Sequence, residues 1–110
     1  MKKTLLFVLA LAVIPGGVDA QVMELAELRA LAERGVAFAQ HNLGVRYDNG
    51  EGVPEDDVLA YMWWNLAAAQ GSENAQDNKD IIEQRMTREQ IAEDQRLSRE
   101  WIEAHPPGGD

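Results

Sequence analysis

Ala32-Glu33-Arg34-Gly35-Val36-Ala37-Phe38-Ala39-Gln40-His41-Asn42 returns as Ala68-Ala69-Gln70-Gly71-Ser72-Glu73-Asn74-Ala75-Gln76-Asp77-Asn78. Five of the eleven positions are identical at an offset of 36 residues: Ala32/Ala68, Gly35/Gly71, Ala39/Ala75, Gln40/Gln76 and Asn42/Asn78. A period of this size belongs to solenoids built from helix pairs. The residue types supply the reason. Alanines let paired helices approach closely, and glycines turn the chain between them. A pair this short cannot bury its apolar face alone, so neighbouring pairs must stack on it.

Outward from the repeat, helix formers dominate and Gly and Pro punctuate. Val22 to Arg34 carries Leu25, Leu28, Leu31 and Ala32 at helical spacing, and Gly35 stands where a left-handed cap belongs. Ala39, Leu43 and Tyr47 mark one face of the next helix. Asp48 to Pro54 is a loop, with Gly50, Gly52 and Pro54 as breakers. Glu55 or Asp56 starts a helix that runs to Gln70, and Gly71 closes it. Asn74 to Arg85 is a fourth helix, poorer in apolar residues. Thr87 and Gln90 fit a capping box, with Met86 and Ile91 as its hydrophobic staple. The fifth helix runs to about Ala104, with Leu97, Trp101 and Ala104 forming one stripe and Ile91, Ser98 and Ile102 another. The expectation is an all-α, α/α solenoid of about five helices.

The first twenty residues read differently. Lys2 and Lys3, the apolar run Leu5 to Ile14, the breaker Pro15-Gly16-Gly17 and the small residues Val18 and Ala20 follow the order of a secretory signal peptide. The apolar run is about half of the roughly 20 residues needed to span a bilayer. Cleavage after Ala20 is expected, giving an exported, periplasmic or secreted product with no membrane insertion. The domain map is then residues 1–20 signal, 21–104 helical domain and 105–110 a disordered tail. Within the domain the best repeat is 35–71 and the C-terminal capping segment is 86–104.

Composition narrows the function. The 110 residues include 10 Lys plus Arg, 19 Asp plus Glu and no Cys, for a formal net charge of −9. Removing the signal leaves 8 basic and 18 acidic residues. Such a charge argues against nucleic acid or an anionic membrane surface as a partner. Without Cys there is no disulfide framework, no thiolate metal site and no acylated N-terminal cysteine. His41 and His105 stand on different elements, so no zinc set forms, and no cofactor is expected. Asp48-Asn49-Gly50-Glu51-Gly52 resembles a calcium loop only superficially, because its glycines stand at the third and fifth places rather than the sixth. Ser72 and Thr87 are explained as helix caps, and Ser98 has no His at helical spacing to activate it. No catalytic residue and no metal ligand is assigned.

One unit, carried by Gly35, Ala37, Ala39, Gln40, Leu43, Gly44, Tyr47, Gly50, Gly52, Val53, Pro54, Asp56, Ala60, Trp63, Ala67, Ala68 and Gly71, resembles the Sel-one-like repeat (SLR) family, relatives of the tetratricopeptide repeats. The resemblance implies a TPR-like superhelix of one full repeat, two half-repeats and a C-terminal cap. Lys79-Asp80 stand where the full unit has Leu43-Gly44, so the fourth helix departs from the pattern. Some cysteine-rich exported relatives are linked to β-lactam binding, and this chain lacks their cysteines.

The family implies an interaction scaffold with no shared chemistry, in which first helices of the repeats line the concave, partner-binding side. Phe38, His41 and Val45 form a stripe on such a helix, which either meets a partner or packs on flanking helices. Trp63-Trp64 point about 100° apart on a helix. Trp63 is at the family's packing position, while Trp64 either packs on the adjacent half-unit or stays partly exposed. The candidate partner-binding surface is therefore Phe38, His41, Val45 and Trp64. The leading function is an exported scaffold for another protein or peptide. A small periplasmic ligand-binding or weak hydrolase-like protein, and a purely structural homodimer, are the alternatives.

Overall fold

The computed structural model describes residues 24–106. The expected signal peptide and its cleavage site lie outside the described residues. Five helices and no strand occupy the described residues: α1 (24–33), α2 (Ala37–Asn49), α3 (Asp57–Ala69), α4 (Glu73–Glu83) and α5 (Arg88–Ala104). No helix among them is long and apolar enough to cross a membrane.

Local chemistry sets the boundaries. Gly35 (φ 92°) and Gly71 (φ 100°) both take the left-handed conformation that other residues avoid. The chain closes identically behind each: the Val36 N–H donates to the Leu31 carbonyl at 3.0 Å, and the Ser72 N–H to the Ala67 carbonyl at 3.2 Å. Asp56 caps α3, its Oδ1 accepting the Leu59 N–H at 3.0 Å, and Ser72 caps α4 through the Ala75 N–H at 3.2 Å. Thr87 and Gln90 form the full capping box at 3.0 and 2.9 Å.

α3 is the central element. Tyr61, Met62, Trp63, Trp64, Leu66 and two alanines on it are buried, so it is apolar around nearly its whole circumference. One side meets Leu28 and Ala32 of α1, Ala39 and Leu43 of α2, and Leu97 and Trp101 of α5. Its other side, carrying Ala60, Tyr61, Trp64 and Ala67, meets Ala75 and Ile82 of α4 together with Val45, Met86 and Ile91. The two adjacent tryptophans thus serve two different cores, as their angular separation requires. Trp63 packs edge-on against Trp101, with ring centroids 6.1 Å apart.

The fifth helix differs from its expected stripes. Its buried row is Ile91, Asp94, Leu97/Ser98 and Trp101, while Ala104 and Ile102 face solvent. The row follows 3–4–3 spacing, so the inward side passes through an acidic residue and a hydroxyl. His105 is seated: its ring stacks on Trp101 with centroids 3.8 Å apart. Its Nε2 lies 3.8 Å from Glu33 of α1.

Candidate functional site: the α2–α4 surface

The exposed side of α2 is built on a close approach. The Trp64 indole lies across α2 at Gly44, where an added Cβ would sit 2.5 Å from Nε1. Only glycine permits that contact, and it outweighs the roughly 0.5–1 kcal/mol by which a mid-helix glycine weakens a helix. The buried Nε1 then donates to the His41 carbonyl at 3.0 Å. Trp64 retains 3% of its exposure. It supports the surface from below and cannot touch a partner, which removes it from the set Phe38, His41, Val45 and Trp64.

The remaining three divide by depth. Val45 is half-buried against the Ala60–Trp64 core. His41 is half-buried, its Nδ1 3.2 Å from Asn42 Oδ1 and its Nε2 3.1 Å from Asn78 Nδ2. A neutral ring protonated on Nδ1 satisfies both contacts and ties α2 to α4. Phe38, one turn earlier, is 61% exposed, the most exposed large apolar side chain among the described residues. Ile81 on α4 follows at 60%.

Arg85 fixes the far end of this pair of helices. It donates to both carboxylate oxygens of Asp57, at 3.2 and 3.1 Å, and to Asp48. The hydrogen bonds to Asp57 and then Asp48 hold its guanidinium well above its ordinary pKa. Asp48, which the sequence places in the loop, belongs to the last turn of α2 and is taken up by Arg85, while Glu51 in the loop lies 4.0 Å from Arg46. Among the described residues no group of three or more His, Asp or Glu is placed to hold a metal ion.

Gln40 has a role that sequence reading missed. It is fully buried, donating to the Ala32 carbonyl at 3.2 Å and accepting from Gln70 at 2.9 Å. Gln70 also donates to the Gly35 carbonyl at 2.8 Å. This network locks the turn between α1 and α2, and its signal was the repeated Ala-Gln dipeptide. Between α3, α4 and α5 lies a second polar group. The Tyr61 hydroxyl donates to Glu83 at 2.7 Å. Burial, and then that contact, raise its pKa well above the ordinary phenol value. Lys79 stands 5.9 Å from the Tyr61 ring centroid. Asn65 Nδ2 donates to the buried Ser98 hydroxyl at 3.0 Å.

Residues 37–72 match the family model described as the Sel1 repeat. Among curated proteins no sequence matches. A crystal structure of a protective antigen present in uropathogenic Escherichia coli strains, displaying an SLR fold, is similar with a TM-score of 0.70 and 32% identity, over 76% of this chain and 18% of that one. The chain therefore spans less than a fifth of that protein's crystallised length. The matched repeat coincides with α2, its loop and α3, the glycine-closed unit whose tryptophans serve both cores. Fold and repeat agree: the chain carries a Sel1 repeat over residues 37–72 and is similar in fold to the SLR antigen.

Proposed function

We propose that the chain is an exported scaffold that holds another protein or peptide on the exposed side of α2, without catalysis of its own. Sel1 repeats and the SLR fold suggest a protein-interaction scaffold and are generally non-catalytic. The observation that carries the reading is Phe38. A 61% exposed aromatic stands beside a His41–Asn78 bridge held rigid by the Trp64 indole beneath it. Rigid aromatic anchors ringed by polar groups dominate protein interfaces. Export rests on the order of charge, apolar run and small residues within positions 1–20.

The test is crosslinking capture from an envelope fraction with the chain from Gln21 onward as bait, beside Phe38→Ala. A defined partner lost in the variant, at unchanged melting temperature, supports the reading. Recovery of the same partner by Phe38→Ala overturns the assigned surface. Self-association in sedimentation that Phe38→Ala abolishes would favour the homodimer. Mass spectrometry of the exported product tests export, and an intact Met1 start in the envelope would contradict it.

A further inference from the structure

Asp94 stands in the middle of the row by which α5 is seated. It is fully buried, and neither of its carboxylate oxygens meets a hydrogen-bond donor. The groups around it offer no cation. Across from it on α3, the Asp56 carboxylate is engaged at the N-cap by the Leu59 N–H. Also on α3 is the Tyr61 phenol, whose proton goes to Glu83 of α4. Lys79 of α4 is drawn to the Tyr61 ring and to Asn65 Oδ1, 3.4 Å away. On α5 itself, Glu93 is paired with Arg96, and Ser98 one turn on accepts from Asn65. The carboxylates acting on Asp94, Asp56 and Glu93, are both negative.

A charged carboxylate sealed in such a place is strongly disfavoured, and the alternatives are to take up a proton or to leave. We propose that α5 is a proton-dependent clasp: Asp94 is protonated while the helix is docked, and loss of that proton loosens α5 from α3. Loosening lifts Leu97 and Trp101 off the core that they share with Leu28, Ala32, Trp63 and Leu66. An apolar end of the solenoid is then open to another chain.

The direction follows from linkage. Burial first, and then Asp56 and Glu93, push the Asp94 carboxyl up to about 8. A solvated aspartate titrates near about 3.9. Between those values the docked state binds a proton that the released state does not. Docking is therefore strongest below about pH 4 and weakens by up to about tenfold per pH unit as pH rises toward 8, and then levels off. Glu93, held low by its Arg96 hydrogen bond, contributes stability that is lost in acid. The contact of His105 with Glu33 stands at the far end of the same seat. Both are retained in Asp94→Asn, so comparison with that variant isolates the buried carboxyl.

The experiment is native-state hydrogen exchange of the full chain from Gln21 onward, at pH 5.5 and 7.5, corrected for intrinsic exchange rates. In the wild type, protection of residues 88–104 should fall on the order of 100-fold more than in Asp94→Asn across these two pH values. Protection of α2 should change much less. Parallel pH dependence in the two proteins, or an equal wild-type loss in α2 and α5, would overturn the clasp. Should Asp94→Asn fail to fold, Asp94→Leu replaces it, and carboxyl-carbon NMR titration of the wild type stands independently of both. A midpoint above about 6.5 supports the clasp, and one below that refutes it.

Discussion

The pairs α2–α3 and α4–α5 are two versions of one helix hairpin, and they part company in their interiors. Each pair is opened by a left-handed glycine, Gly35 or Gly71, and each second helix begins at a side-chain cap, Asp56 or Thr87. Aligned on those caps, Ala60 corresponds to Ile91, Trp63 to Asp94 and Ala67 to Ser98. On the first helices, Leu43 and Gly44 correspond to Lys79 and Asp80. Leu43 is buried and Gly44 admits the Trp64 indole, whereas Lys79 lies over Tyr61 and Asp80 is exposed. The backbone plan is thus kept where the apolar interior is not. Caps and turn glycines suffice to make a hairpin, while an interior aromatic and a permissive glycine are needed for a hairpin on which others stack. The second pair keeps the first set of features and lacks the second.

Four measurements would break or sharpen that comparison. Removal of residues 87–110 should have the largest effect, because it strips Leu97 and Trp101 from the α1–α2–α3 core. We expect loss of cooperative unfolding or a melting temperature that depends on concentration. A stable, concentration-independent monomer would show that the second pair is dispensable. Trp63→Ala, at the aromatic position that the second pair replaces with Asp94, should lower the urea-derived stability by about 3–5 kcal/mol. A loss below about 1 kcal/mol would mean that the first pair's interior is not what sets it apart. Gly71→Val should cost about 1–3 kcal/mol in the same assay. No atom lies within 4 Å of a Cβ placed there, so the penalty is one of backbone conformation alone. Gly71→Asn should therefore recover part of it. Thr87→Ala, which removes one half of the capping box, should cost about 1 kcal/mol. A neutral result would place the start of α5 under the control of packing rather than capping.

The hairpin plan was legible in the sequence because it is written in residues with distinctive backbone demands. Gly35, Gly71, Asp56 and the Thr87–Gln90 pair all act where their spacing placed them. The roughly 100° between Trp63 and Trp64 also foretells that they face different surroundings, while leaving Trp64 either packed or partly exposed. What escaped is polar burial. A search for apolar periodicity passes over Asp94, so the seat of α5 was drawn through Ala104 and Ile102, both of which face solvent. Gln40 and Gln76 are identical by repeat, yet Gln40 is sealed between Ala32 and Gln70 while Gln76 bonds the exposed Asp80 at 2.9 Å. The difference is the helix packed beside each, which the residue itself does not encode. Of the candidate surface, Phe38 was readable as a stripe residue. The burial of Trp64 depended on pairing it with Gly44, 20 positions earlier in the chain.

The nearly all-round apolar surface of α3 also sets an order of events in time. A helix that must be covered on so much of its circumference gains little until a neighbour arrives, and α2 and α4 are its nearest neighbours along the chain. Contacts between α3 and α5 close a longer stretch of chain and reward folding later. The folding transition state is therefore expected to contain α3 with its adjoining helices and to leave α5 unformed. Substitutions in α5 such as Thr87→Ala should then raise the unfolding rate and leave the refolding rate nearly unchanged, whereas Trp63→Ala should slow refolding. Chevron analysis of the two variants would show this, and a slowed refolding limb for Thr87→Ala would reverse the order. The half-life of the native chain against thermal or proteolytic loss would then be governed by its last helix.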